Sequence, residues 1–133
     1  MQRIVVVGLG PGDWQQLTVQ AFETLRSAKQ IFLRTEQHPA AAELKRLGLE
    51  YTSFDYLYEE KLSFREVYET MTEVLLKTAQ TAPAAAGPVI FAVPGHPLVA
   101  ERAVEMLLEQ AKTGLTDVEV EIIPAMSGIE AMY

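Results

Sequence analysis

Glycine and proline, more than acids or nucleophiles, mark the residues best placed to meet a ligand. Gly8-Leu9-Gly10-Pro11-Gly12-Asp13 follows an apolar run and carries glycine at alternate positions, so its backbone can turn sharply and approach a ligand without a Cβ in the way. It is not the dinucleotide fingerprint, whose third glycine would fall at Asp13. Pro11 stiffens the run and removes an N–H that a phosphate cradle would use, which disfavours a pyrophosphate site and a simple dinucleotide-binding domain. A second run, Pro94-Gly95-His96-Pro97, sets two prolines around a glycine and fixes a specific path. A third, Pro124-Ala125-Met126-Ser127-Gly128, holds a serine suited to cap a following helix. Each alone reads as a strand-to-helix connection; together, all at strand ends, they suggest a site.

Other chemistry is thinly supplied. No Ser-His-Asp pattern stands out, and His38 and His96 lack metal-ligand spacing. His38 reads as a surface or helix-entry residue, and His96 is open between loop structure and ligand contact. Glu59-Glu60 and Glu66, Glu69 and Glu73 are the only candidate magnesium carboxylates, and the latter group lies on one helix without a facing partner. A pyrophosphohydrolase site within this chain is therefore disfavoured. Arg34, at the end of a predicted strand, either recognises an acidic substrate or, more simply, joins a surface ion pair.

Alternating elements must position these runs. Ile4 to Val7 is a β-branched stretch typical of a parallel strand buried on both faces. A helix is predicted near Thr18 to Ala28, a strand at Ile31 to Leu33, and a helix opened by Pro39 and closed by Gly48. A weaker strand lies near Tyr51 to Phe54. Ser63 and Glu66 make a capping box, and Phe64, Val67, Tyr68, Met71, Val74 and Leu75 form a core-facing helical stripe. After a short loop at Ala82 to Pro88 come a strand at Val89 to Val93, a helix at Leu98 to Lys112 with Pro97 at its entry, and a strand at Val118 to Ile123. The pattern is α/β: a five-stranded parallel sheet with helices on both faces and right-handed crossovers. Ligands of such sheets bind beyond the strands' carboxyl ends. The three runs can surround one ligand only if strand 1 lies between strands 4 and 5, and that is the order expected.

Bulk properties narrow the setting. The 133 residues suit a single core, and 49% are apolar. No stretch reaches the roughly 20 apolar residues of a membrane span, and Met1-Gln2-Arg3 is too short a start for a signal peptide. Together with the absence of cysteine, this gives a cytoplasmic reading without disulfides. A net charge of −7 disfavours nucleic acid, and the acids of Asp55 to Glu73 read as a solvated helix face.

The runs at 8–13, 94–99 and 123–128 resemble the signature loops of tetrapyrrole methylases, a fold shared by diphthine synthase and ribosomal-RNA ribose methylases. More closely, Arg34 to Pro39 and Val93 to Arg102 resemble the methylase domain ahead of MazG-type nucleoside triphosphate pyrophosphohydrolases. The resemblance covers the whole chain. It implies a two-domain methyltransferase using S-adenosylmethionine, of which residues 1–133 are the amino-terminal cofactor-binding subdomain. The carboxyl-terminal subdomain would lie outside this chain. The family's cofactor positions fall on Pro11, Pro94, Gly95, His96, Val99, Ser127 and Gly128, with Leu9 lining the same pocket. The implied partner is a small-molecule methyl acceptor, tetrapyrrole-like, whose acidic groups would be Arg34's substrate role; no catalytic residue is implied. A half-cleft would bind cofactor weakly and not turn over alone, and its exposed apolar surface would favour a homodimer. One departure matters. The wider family reads Gly-Asp-Pro where this chain has Gly95-His96-Pro97, so a carboxylate gives way to an imidazole without fixed negative charge. If that change abolishes cofactor binding, the chain becomes a non-catalytic regulatory or docking module of a MazG-type pyrophosphohydrolase.

Overall fold

β-branched residues stiff at χ1 fill the centre of the molecule and favour extended backbone there. The computed structural model describes residues 2–12, 14–98, 101–114 and 117–125. Its strands are β1 (Arg3–Gly8), β2 (Gln30–Leu33), β3 (Thr52–Ser53), β4 (Val89–Val93) and β5 (Glu119–Ile123). All pairings are parallel and the order is β3-β2-β4-β1-β5, so β1 does lie between β4 and β5.

The helices are α1 (Val19–Ser27), α2 (Pro39–Arg46), α3 (Asp55–Glu60), α4 (Phe64–Thr81) and α5 (Arg102–Lys112). Strand alternation splits the core in two. Ile4, Val6, Val89, Phe91 and Val93 face α3, α4 and α5 through residues such as Leu57, Met71 and Leu107. Val5, Val7, Ile90 and Ala92 face α1 and α2 through Leu25 and Leu44. Central β1 and β4 are thus covered on both sides, which is why they read as unbroken apolar runs. Edge strand β5 instead exposes Glu119 and Glu121, the latter paired with Arg3.

Caps fix the helix starts. Thr18 Oγ1 accepts from Ala21 N at 3.1 Å and Ser63 Oγ from Glu66 N at 3.2 Å. The Glu66 carboxylate reaches back to Leu62 N, completing a variant of the expected capping box. α2 has Pro39 in its first turn and ends at Gly48, whose φ of 77° suits the left-handed turn there.

Three expectations need correction. The helix expected from Leu98 begins instead at Arg102, and Pro97 lies in a turn before it. Leu98 N is held locally by His96 Nδ1, and Glu101 spends its carboxylate on Arg34 instead of capping. The third strand is only Thr52–Ser53, because Phe54 turns into the core between Phe32 and Phe91 and α3 starts directly after it. Phe64 is not core-facing: as the first residue of α4 it is 70% exposed, its ring stacked on Tyr68.

Candidate functional site

Parallel register brings the carboxyl ends of three strands level. Gly8 pairs with Val93 and Val7 with Ile123, so the chain leaves β1, β4 and β5 at one rim. The tightest point is Gly8. A Cβ there would stand 2.6 Å from Ala125 Cβ, 2.7 Å from Pro97 Cδ and 2.8 Å from Gly95 O. Each of those atoms belongs to one of the other two loops, so the three runs do converge, as far as the described residues extend.

Beyond Gly8 the first two loops clasp each other. Leu9 N donates to Val93 O, and then Gly10 and Gly95 exchange backbone hydrogen bonds of 3.2 and 2.8 Å. Both glycines have positive φ, 79° and 65°, a backbone that side chains rarely tolerate. A Cβ at Gly12 or Gly95 would meet nothing within 4 Å, so the clasp leaves stretches of bare backbone open to close approach.

The expected site residues divide. Pro11 is exposed, and Pro94, Gly95 and His96 are half-buried at the rim. Leu9 is buried in the core beneath the first loop. Val99, Ser127 and Gly128 lie outside the described residues. His96 Nδ1 accepts from Leu98 N at 3.1 Å, the bond to the residue two ahead that an aspartate oxygen makes in an Asx-turn. An imidazole can therefore replace a carboxylate here without redirecting the loop, and what changes is the charge at the rim.

Arg34 also sits at this rim, its N–H donating to Ala92 O. Its guanidinium is turned inward. Nη1 donates to Tyr58 Oη at 3.0 Å, and Nε lies 3.1 Å from Glu101 Oε2 without hydrogen-bond alignment, so that contact is chiefly Coulombic. Glu101 is 7% exposed, so this is a buried pair and not the surface one expected of Arg34. Burial raises the Glu101 carboxyl above the ordinary range, against the opposing pull of Arg34. Burial likewise pushes the Tyr58 hydroxyl up, with Arg34 pulling it back. Asp55 goes the other way. Burial alone would raise it, but the Glu36 N–H, the Thr35 and Ser53 hydroxyls and the Arg34 charge together hold it low. Asp55 thus ties the loop after β2 to the start of α3, more than a solvated acid would.

Sequence reading gave no role to Glu101 or Tyr58, because their partner comes from distant β2. A separate groove of about 730 Å³ runs along the seam of α4 and α5, lined by Phe64, Tyr68, Thr72, Leu76 and Met106 among others, and no rim-loop residue lines it. Among the described residues no group of acids and histidines could hold a metal ion, and no helix is long and apolar enough to cross a membrane.

Comparison with known proteins agrees with this fold. The chain is 35% identical over 131 residues to the uncharacterized protein YabN of Bacillus subtilis (strain 168), covering 98% of itself but 25% of that protein. It superposes on the native uroporphyrin III C-methyl transferase of Thermus thermophilus with a TM-score of 0.68 at 25% identity, over 98% of this chain and 51% of that one. The same enzyme complexed with S-adenyl homocysteine gives 0.64 at 24% identity, covering 98% and 47%. A diphthine synthase gives 0.67 at 22% identity, again over 98% and 47%, a likeness of fold. The chain thus spans about half the length of these solved structures and a quarter of YabN. Residues 3–133 match the family of Tetrapyrrole (Corrin/Porphyrin) Methylases, and the chain belongs to that family.

Proposed function

We propose that this chain is the cofactor-binding side of an S-adenosylmethionine-dependent methyltransferase acting on a small, tetrapyrrole-like acceptor. The observation that carries the reading is the clasp of Gly10 with Gly95 at a rim where all three loops meet. The cofactor carries no phosphate, which suits a first loop whose Pro11 lacks an N–H. Open backbone at Gly12 and Gly95 gives room for close approach. Pro11, Pro94, Gly95 and His96 would hold it, with Val99, Ser127 and Gly128 completing the set and Leu9 supporting from beneath. When bound, the group supplies a methyl on a sulfonium. The protein's part in such an in-line displacement is alignment and exclusion of water, which a rim of rigid backbone can provide. For Arg34, the inward ion pair favours holding the start of α5 over contact with an acidic acceptor.

The share of each relative covered supports a second methylase subdomain facing this rim in the full protein. The likeness of residues 34–39 and 93–102 to MazG-linked domains, and the greater length of YabN, support an attached pyrophosphohydrolase. His96 in place of a carboxylate favours one rival, a regulatory or docking module that binds no cofactor.

Titration of ¹⁵N-labelled chain with S-adenosylhomocysteine separates the two. The methylase reading expects saturable shifts of the Gly10, Gly12 and Gly95 amides, with His96→Asp keeping the fold and changing the affinity. No shift in the wild-type chain at millimolar ligand, alongside clear binding by His96→Asp, would establish the regulatory reading instead. Absence of binding by both would defeat the cofactor site altogether.

A further inference from the structure

Histidine is not among the favoured helix N-caps, yet His38 caps α2. Ser, Thr, Asp or Asn would serve that end as well. Its Nδ1 accepts from Ala40 N at 3.0 Å, and Pro39 fills the first helical position, where no N–H is needed. An Nδ1 that accepts leaves the ring hydrogen on Nε2. That nitrogen lies 3.0 Å from the carbonyl oxygen of Gly10 and donates to it. The same oxygen takes the Gly95 N–H at 2.8 Å, so both its lone pairs are engaged, one by the second loop and one by His38. A Ser, Asp or Asn at this position caps the helix but stops short of Gly10. Only a side chain with acceptor and donor on opposite sides reaches both.

We infer that His38 is a positioning residue for the rim: it aims the Gly10 carbonyl and thereby sets the clasp between the first and second loops. The helix cap anchors the ring, and the ring transmits the fixed position of α2, held by buried Ala40, Ala41 and Leu44, to a loop rich in glycine and proline. The inference rests on the cofactor reading above only for its effect on ligand affinity.

Two variants separate the cap from the clasp. His38→Asn keeps an acceptor for Ala40 N and loses the reach to Gly10; His38→Gln keeps a donor able to reach Gly10 and caps poorly. Amide hydrogen exchange is followed at Ala40 and Gly95, together with S-adenosylhomocysteine affinity. In His38→Asn, Ala40 should stay protected, while Gly95 exchanges roughly five- to tenfold faster and affinity falls by a similar factor, the scale of one hydrogen bond. In His38→Gln the pattern should invert: Ala40 exchanges faster, while Gly95 protection and affinity survive. Unchanged Gly95 exchange in His38→Asn would overturn the inference whether or not the ligand binds. Faster Gly95 exchange with unaltered affinity would overturn the link to the ligand. If wild type binds no ligand, the cofactor reading fails while the exchange data still decide the clasp.

Discussion

Gly8 shows how much the rim depends on a missing side chain. Its Cα lies where β1 gives way to the first loop, and the space beside it is already taken by Ala125, Pro97 and the Gly95 carbonyl, all within 2.8 Å of an added Cβ. None of these is the far end of a flexible chain, so Gly8→Ala must push backbone apart. We expect a loss of about 1–3 kcal/mol, the usual range for overpacking, in chemical denaturation. Ala125→Gly in the same chain should return part of it by relieving the shortest contact. A Gly8→Ala protein as stable as wild type would mean the loops are not packed together as described. The glycine itself was plain in the sequence. The reason for it was not, since Gly8, Gly10 and Gly12 look alike in a list: Gly8 is crowded, Gly10 needs its positive φ, and Gly12 faces open space.

At the scale of elements, the junction of β2 with α5 carries a titratable feature with a defined sign. Burial raises the Glu101 carboxyl in the folded chain above its ordinary value of 4.5, so between those two values the native state holds a proton that the unfolded state has released. Stability from this group is therefore fully present below the unfolded value and declines as pH rises through the window, the reverse of an ordinary paired carboxylate. Glu101→Gln lacks the titration. The stability difference, wild type minus Glu101→Gln, should shrink as pH is raised from 4 toward neutrality; a difference that grows would show that attraction to Arg34 outweighs burial. This junction was invisible beforehand because Arg34 and Glu101 are 67 positions apart and share no periodic pattern. The α4 cap was legible because Ser63 and Glu66 act within one helical turn.

For the molecule as a whole, the rim and one helix entry leave apolar side chains uncovered: Leu62 is 95% exposed, Phe64 70% and Leu98 61%. Isolated exposed residues are ordinary, but Phe64 meets the rings of Tyr58 and Tyr68, and Leu62 lies two positions before it in the chain. We expect the chain to self-associate, with sedimentation velocity showing mass rising toward a dimer as concentration increases. Leu62→Ser with Phe64→Ser should return it toward monomer. A monomer at every concentration would overturn the homodimer expected from the sequence.

Sequence alone determined the class of fold, because β-branched runs, helical stripes and caps act over a few residues and leave their mark in local order. It also identified the three glycine and proline runs and placed them at strand ends. The need for those runs to meet also led to the expectation that β1 lies between β4 and β5, but only the folded sheet established it, since strand order follows from how the helix layers bury apolar surface across the sheet. That order turned separated loops into one rim. Tertiary structure likewise decided which side chains serve it: His38, at the helix entry, also reaches Gly10, and Arg34 turned inward to Glu101, because their partners come from segments that meet only once the sheet has formed.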